Sequence, residues 1–448
     1  MSRDISLDAI RTCLEGVIPA AIATTDSEGM PNVSVLSQVH YMDPTHVALS
    51  YQFFNKTRRN ILANPHAMLQ VIDPGTVAQY RLRVRYLRTE TSGPLFESMR
   101  AKLAGIASHT GMAGVFRLLG ADVFEALGIE EVPGATLPVL ARNRSLPAAT
   151  RRCCERLSAC TDLEELLDRT ISDLRDLFGV EHAMILIADE SAGRLYTVAS
   201  LGYSASGIGS EIAFGDGVIG VAAREHTAIR ITHATSDYAY GRAARDSSRE
   251  LGAPGGEATE IPFPGLANPH SQLAVPIRVG KELIGVLFTE SREAMRFCYD
   301  DEDALATVAA LLGTMIHIMR QPAAAVEAVT EAPTAAAEPS GAPALLCHHA
   351  ADDSVFIDHQ YLIKGVAGAI LWWLVRQHAQ HARTDFSNRE LRLAPCIRLP
   401  EAAENLEARL ILLRRRLAER CDILGIEKTG RGRFRLVVRR PLALKEMP

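Results

Sequence analysis

Residues 321–344 place the strongest constraint on how this chain folds. Ten of these 24 residues are alanine and four are proline, with a few acids between them. Nothing in such a segment can bury a core, so it reads as a low-complexity linker, and the part beyond it is mechanically separate. A chain of 448 residues predicts two to four domains.

Composition narrows the class. The 47% apolar and 23% charged content is that of a soluble globular chain. The N-terminal MSRDISLDAI carries acids and no apolar segment, so it does not read as a signal peptide. The longest apolar run, 304–319, is interrupted by Thr307 and His317 and is short for a bilayer span. The expectation is a cytoplasmic protein with no membrane contact. Eight cysteines include no Cys-x-x-Cys pair. Cys153, Cys154 and Cys160 read as structural thiols rather than cluster ligands, and no disulfide framework is implied.

Charge is unevenly spread. Residues 383–440 hold 15 Lys/Arg and 8 Asp/Glu, a balance of +7 within a chain whose net charge is −5. The remainder therefore carries −12. That asymmetry points to an anionic partner for the C-terminal part.

Along the N-terminal third, residues 5–16 predict a short amphipathic helix. Strands are predicted over 20–25, 32–41 and 46–52, with turn chemistry at Asp26-Ser27-Glu28-Gly29 and Asp43-Pro44-Thr45. A basic turn (Asn55, Lys56, Thr57, Arg58, Arg59) leads into a short helix ending at Asn64-Pro65. Strands 67–72 and 80–91, a helix over 93–107, and two last strands across Gly120-Ala121-Asp122 complete the set. A basic turn at a helix start suits phosphate, because backbone amides, the helix dipole and the cations all favour an anion there. The alternative is a solvated basic turn. His40, His46 and His66 are scattered and read as surface or structural residues.

The order of strand, Asp-x-x-Gly-Met-Pro turn, strand, Asp-Pro-Thr turn, strand, then Asn-Lys-Thr-Arg-Arg-Asn and Asn-Pro-His resembles the pyridoxamine-phosphate-oxidase-like FMN-binding split barrels, over about residues 10–135. The resemblance implies a homodimer with FMN at its interface. By position Lys56 and Thr57, with Asn55 beside them, would hold the flavin phosphate. Ser34, Val35, Ser50 and Tyr51 would line the ring and ribitol, and Gln79 and Arg81 would reach in from the next strand or the other subunit. Relatives of this fold also bind haem or deazaflavin, or nothing.

Residues 148–320 predict a long amphipathic helix over 149–178, then strands 182–188 and 194–201, a Gly-rich stretch over 202–220, a hairpin of 271–279 and 281–290, and a helix over 297–320 opening on Asp300-Asp301-Glu302-Asp303. Gly215-x-Gly217-x-x-Gly220 has the outline of a phosphate loop, but no Rossmann strand precedes it, so a tight turn into a helix is the better reading. With Gln272-Leu273-Ala274-Val275-Pro276-Ile277 and Leu283-Ile284-Gly285-Val286-Leu287, the segment resembles a GAF domain. Its implied small-molecule or redox pocket would use His233, Tyr238, Tyr240, His270, Gln272 and Glu290. His270 and Glu290, with Glu257 or Glu260, also look like part of the iron site of nitric-oxide-responsive GAF domains. The cysteine expected there is Gln272, so no metal is assigned, and an organic ligand or a purely structural module stay open.

Beyond the linker, a strand over 355–363, an apolar helix over 365–381, a short helix over 387–393 capped by Ser387 with Glu390, a helix over 400–420 and a hairpin across Gly430-Arg431-Gly432 resemble the winged helix of response-regulator transcription factors. The likeness implies that Arg409, Arg414, Arg415, Arg416 and Arg420 lie in the major groove, with Arg431 and Arg433 on a wing reaching phosphate. A protein-docking module with a solvated basic face is the alternative.

The fold class expected is therefore multidomain α+β: a split barrel (1–135), a connector (136–147), a GAF α/β/α sandwich with an antiparallel sheet (148–320), a linker (321–345) and a winged helix-turn-helix (346–448). The expected function is a dimeric one-component sensor that regulates transcription. The alternative is an FMN-dependent oxidoreductase with two regulatory modules. A linker of this composition argues against a rigid lever and for coupling by effective concentration or released docking.

Overall fold

A computed structural model describes residues 5–16, 18–52, 55–109, 117–138, 145–232, 261–320, 341–397, 406–430 and 432–447. Its first body is a seven-stranded antiparallel sheet in the order β2-β1-β5-β6-β7-β4-β3. The strands are β1 (Ala20–Thr25), β2 (Pro31–Leu36), β3 (Val39–Asp43), β4 (His46–Tyr51), β5 (His66–Ile72), β6 (Gln79–Glu90) and β7 (Gly120–Val132). Helix α1 (Asn55–Ala63) precedes β5, and α2 (Pro94–His109) precedes β7. Residues 32–41 do not form one strand. The chain breaks at Ser37-Gln38, and β2 and β3 end up at opposite edges of the sheet. So short a break spans at most about 11 Å, so the two edges must approach and the sheet must curl. Ile22, Leu36, Val39, Leu69, Leu82 and Phe124 fill the inside.

The expected pair of last strands is one long strand, β7, which Gly120-Ala121-Asp122 begins rather than divides; residues 110–116 lie outside the described residues. Register shifts at Arg83/Val84 and Tyr86/Arg88 let β6 and β7 bend together around the core. The N-terminal segment is a 3-10 helix, Asp8–Leu14, that buries Ile10, Cys13 and Leu14. Burial pushes the Cys13 thiol up to about 12.

The second body opens with two helices, not one: α3 (Leu146–Ser158) and α4 (Leu163–Asp176). The break has a local cause, since the Asp162 side chain caps α4 by accepting from the Glu165 amide at 3.0 Å. Strands β8 (His182–Asp189), β9 (Arg194–Leu201), β10 (Glu211–Ala213), β11 (Ile229–Ile231), β12 (Ser271–Val279) and β13 (Glu282–Ser291) form a sheet ordered β10-β9-β8-β13-β12-β11. Along β8, Ile185 and Ile187 face the cluster holding α3, α4 and α6 (Tyr299–Arg320), while Met184 and Leu186 face α5 (Gly217–Glu225). With both faces covered, the strands read as continuous apolar runs. Gly215-x-Gly217-x-x-Gly220 turns into α5, and Gly220 lies so close to the chain that a Cβ there would meet the Ala213 carbonyl oxygen at 2.3 Å. Helix α6 is long and apolar enough by composition to cross a membrane, but Leu305, Val308, Leu312 and Ile316 are buried in this domain's core.

The third body begins at Ala344, inside the stretch read as linker. Strands β14 (Ala344–His349), β15 (Ser354–Ile357) and β16 (Gln360–Ile363) lead to α7 (Gly365–His381), β17 (Asp385–Ser387), α8 (Asn388–Leu393), α9 (Leu406–Arg420), β18 (Leu424–Gly430), β19 (Arg433–Val438) and β20 (Leu442–Met447). The run 355–363 is two strands, because Asp358 and His359 both take positive φ and turn the chain back. Ser387 and Glu390 form the expected capping box. The β18–β19 hairpin pairs with β17, and β20 lies parallel to β14.

Candidate functional site

The basic residues after Asn55 form the first turn of α1 rather than a turn ahead of it, and that turn contains no acid. Cations at a helix N-terminus meet the positive end of the dipole, costing about 0.3–1 kcal/mol each unless an anion is near. Arg58 has one: it pairs with Asp122 of β7 and lies 4.5 Å over the Tyr51 ring. Lys56 is exposed. The buried Thr57 hydroxyl lies 2.7 Å from Ser34 Oγ and accepts from Asn32 Nδ2 at 2.9 Å. Ser50, Tyr51, Thr57, Arg58 and Asp122 surround a cavity of about 20 Å³, room for one water and too small for a flavin ring.

The other expected flavin contacts fall elsewhere. Strand register aligns Val35, Ala21, Gln70 and Arg81 in one row across the sheet, and Val35 and Arg81 are exposed. Alternation sends Ser34 to the other face. Gln79 accepts a hydrogen bond from Gln70 Nε2 at 2.9 Å. The Asn55 side chain lies outside the described residues. The sheet therefore gathers Ser34, Ser50, Tyr51 and Thr57 near α1, and leaves Val35, Gln79 and Arg81 apart from them.

In the second body, Gln272 and Glu290 are register partners on β12 and β13. Glu290 is 1% exposed and accepts from the Leu266 amide at 2.7 Å and from Gln272 Nε2 at 3.2 Å. Burial raises its pKa against those bonds. Tyr203, packed edge-on to His182, is also held protonated by burial and by the Glu290 charge. His270 is exposed, so it does not join Glu290 in a ligand set. His233, Tyr238, Tyr240, Glu257 and Glu260 lie outside the described residues.

The arginines expected to face DNA are largely occupied, and this corrects the picture of an open basic helix. Helix α9 buries Leu406, Leu413 and Leu417 in its own module, and its opposite side packs on the second body. Arg409 is only 8% exposed, lies 3.7 Å over the Tyr196 ring and pairs with Asp189 at 2.5 Å. Arg414 pairs with Glu164, and Arg415 reaches Asp168 at 2.6 Å and the Val198 carbonyl at 2.7 Å. Arg416 turns inward and donates to the Leu362 carbonyl at 2.9 Å. Arg420 and Arg433 are exposed, and Arg431 lies outside the described residues. The sequence did carry a signal for this. The apolar arc Ala408, Leu410, Ile411, Leu412, Leu413 is too wide for a helix buried on one side.

Sequence reasoning missed a buried charge cluster that joins the first two bodies. Arg230 of β11 pairs with Glu15, and also with Glu302 at 2.7 Å, while its guanidinium lies 4.1 Å over the Tyr299 ring. Glu15 accepts from the Tyr299 amide at 2.9 Å, and Lys102 of α2 lies 3.6 Å from it. Burial pulls Lys102 down to about 8. Glu15 is raised by burial but held below the usual carboxylate range by Arg230 and Lys102. An arginine within the apolar run Ile229-Arg230-Ile231 was the available clue, since an unpaired charge is not buried there.

Residues 162–316 match the family model of the GAF domain, and residues 6–123 match that of pyridoxamine 5'-phosphate oxidase. The chain thus carries a GAF domain and a pyridoxamine-phosphate-oxidase-like domain. No curated protein matches it. Among solved structures it is similar to the GAF domain of a phosphoenolpyruvate-protein phosphotransferase from Coxiella burnetii, at 22% identity over 39% of this chain and 94% of that one, with a TM-score of 0.31. It is similar to an FMN-binding protein from Syntrophomonas wolfei subsp. wolfei at 18% identity, over 30% and 88%, with a TM-score of 0.25. It is also similar to free methionine-R-sulfoxide reductase from Neisseria meningitidis at 19% identity, over 42% and 100%, with a TM-score of 0.32. Neither family match extends past residue 316.

Proposed function

We propose that this chain is a homodimeric sensor in which a flavin-binding barrel and a GAF domain control a C-terminal winged helix that acts on duplex DNA. The observation that carries this reading is the contact of all three modules in series. The barrel meets the GAF domain through Glu15 and Arg230, and the GAF domain meets α9 through Asp168 and Arg415. A change at either input is thereby in physical contact with the output. The order of three helices and a basic hairpin supports the DNA reading, as does the +7 balance of residues 383–440.

The residues at α1 suit FMN. A first turn with no acid of its own, two hydroxyls (Ser34 and Thr57) and an exposed Lys56 form a donor set, while the nearby Asp122 is taken by Arg58. Lys56, Thr57 and Ser34 would hold the phosphate, and the bound flavin would supply two-electron redox chemistry. The ring would lie over the sheet rather than in the cavity beside Thr57. Val35 and Arg81, on the outward row, and Gln79, two residues before Arg81 on the same strand, would then serve the ring of either subunit. In the GAF domain, Gln272 and Glu290 would line the small-molecule pocket.

The test is the absorbance spectrum and mass of whatever co-purifies with the full-length chain, followed by salt-dependent anisotropy with duplex DNA. A flavin spectrum and DNA binding weakened by changing Arg420, Arg431 and Arg433 to alanine support the sensor. A flavin spectrum with steady NAD(P)H consumption and no DNA binding supports an FMN-dependent oxidoreductase instead.

A further inference from the structure

We infer that the acidic face of the GAF domain around α4 is a docking surface for α9, and that this contact is a latch that covers the basic side chains of the C-terminal module. That the covered side chains serve duplex DNA rests on the reading above; the latch itself does not. The charges divide cleanly between the two sides. Asp162, Glu164, Asp168 and Asp189 stand on the GAF side, and Lys428, Arg414, Arg415 and Arg409 meet them in that order. Lys428 reaches Asp162 at 2.7 Å. A run of opposite charges matched one to one sets register and partner choice, which scattered rim pairs do not.

Arg409 and Arg415 cannot touch another anion in this arrangement. Arg409 is stacked on Tyr196 and paired with Asp189, and Arg415 is held by a carboxylate and a carbonyl together. Leu412 lies beside Gly209, where a side chain on that glycine would come within 3.9 Å. The contact has an apolar part, since buried residues of both modules, Ile208 and Leu412 among them, belong to one hydrophobic cluster, and the four ion pairs surround it with the charge typical of reversible domain interfaces. A competing polyanion or high salt would weaken the exposed pairs first, Lys428–Asp162 and Arg415–Asp168, whereas the buried Arg409–Asp189 pair is screened less.

The experiment compares the full-length protein with its E164Q/D168N/D189N variant by phenylglyoxal footprinting of arginines and mass spectrometry. Exposed Arg389 is the internal reference. In the unaltered chain Arg409 and Arg415 should react far more slowly than Arg389, and that protection should be lost in the variant. Rising salt should raise the reactivity of Arg415, whose partner Asp168 is exposed, in the unaltered chain as well, a measurement that needs no substitution. Anisotropy with a random-sequence duplex at fixed salt should show the variant binding about tenfold tighter if the latch is closed about nine-tenths of the time. The latch is overturned if Arg409 and Arg415 of the unaltered chain react as fast as Arg389, or if both stay protected in the variant and Arg415 stays protected in high salt. Protection lost without any gain in DNA affinity keeps the latch and removes the DNA reading.

Discussion

Arg230 of the GAF sheet and Glu15 of the barrel form an ion pair in which each side chain is about 4% exposed. They stand 215 residues apart in the chain, so this pair forms only once both domains have folded and met, although Arg230 also has Glu302 and Glu15 also has Lys102 within its own domain. Removing one partner leaves the other buried with less compensation for its charge. Arg230→Met should cost about 3–5 kcal/mol, the range for breaking a buried pair. Urea unfolding of the full chain measures this, and pairing the change with Glu15→Gln should return much of the loss. An unchanged midpoint in Arg230→Met would mean the junction is not formed in solution.

His40 sets an acid limit on the same junction. Burial, then the charges of Lys102 and Arg230, push its imidazole down to about 3 from 6.5. Below pH 6.5 the unfolded chain takes up a proton that the folded chain refuses. Stability from this group is therefore complete above pH 6.5 and drains away as pH falls towards 3. The slope is at most about 1.4 kcal/mol per pH unit. Melting curves at pH 7, 6 and 5 should show His40→Gln losing less than the unaltered protein; parallel losses would contradict the assignment.

Flavin affinity is expected to depend on the first turn of α1. Thr57→Val removes the hydroxyl bonded to Ser34 and Asn32, and Lys56→Ala removes the exposed cation. Each lost charge-assisted bond to phosphate should weaken FMN binding by about tenfold or more. Quenching of FMN fluorescence on titration reads this directly. Equal affinities for the two variants and the unaltered chain would place the phosphate elsewhere.

Gly220 should tolerate no side chain. A Cβ there would stand 2.3 Å from the Ala213 carbonyl oxygen, so Gly220→Ala must shift α5 or β10, at about 1–3 kcal/mol. Gly280, at the tip of the β12–β13 hairpin with φ +59, has nothing within 4 Å. Asn suits that backbone region, so Gly280→Asn should change the melting temperature little. Similar losses for both would contradict close approach as the reason Gly220 excludes a side chain.

Legibility followed range along the chain. The capping box at Ser387 and Glu390, the turn of Gly215–Gly220 into α5 and the β12–β13 hairpin were readable because their causes lie within a few residues. Three readings failed where a break in one run was invisible to periodicity. Ser37-Gln38 separates β2 from β3, Asp162 caps α4 and splits a long apolar stripe, and Asp358-His359 folds 355–363 back on itself. In each case the apolar spacing on both sides of the break suits one continuous element.

What the amino-acid order determined alone is the local set: apolar periods, caps, turns, the linker-like composition of 321–344 and the excess of positive charge after residue 383. What only tertiary structure decided is the use of that charge. The apolar neighbours of Arg230 and the wide apolar arc of α9 hint at burial, but nothing in one dimension marks which carboxylates Arg409, Arg415 and Arg230 will meet. Their partners Asp189, Asp168 and Glu15 lie more than two hundred residues away, and neither composition nor periodicity reports which distant carboxylate a guanidinium will meet. An ion pair depends on separation in space and on exclusion of water, and both exist only after the domains have packed.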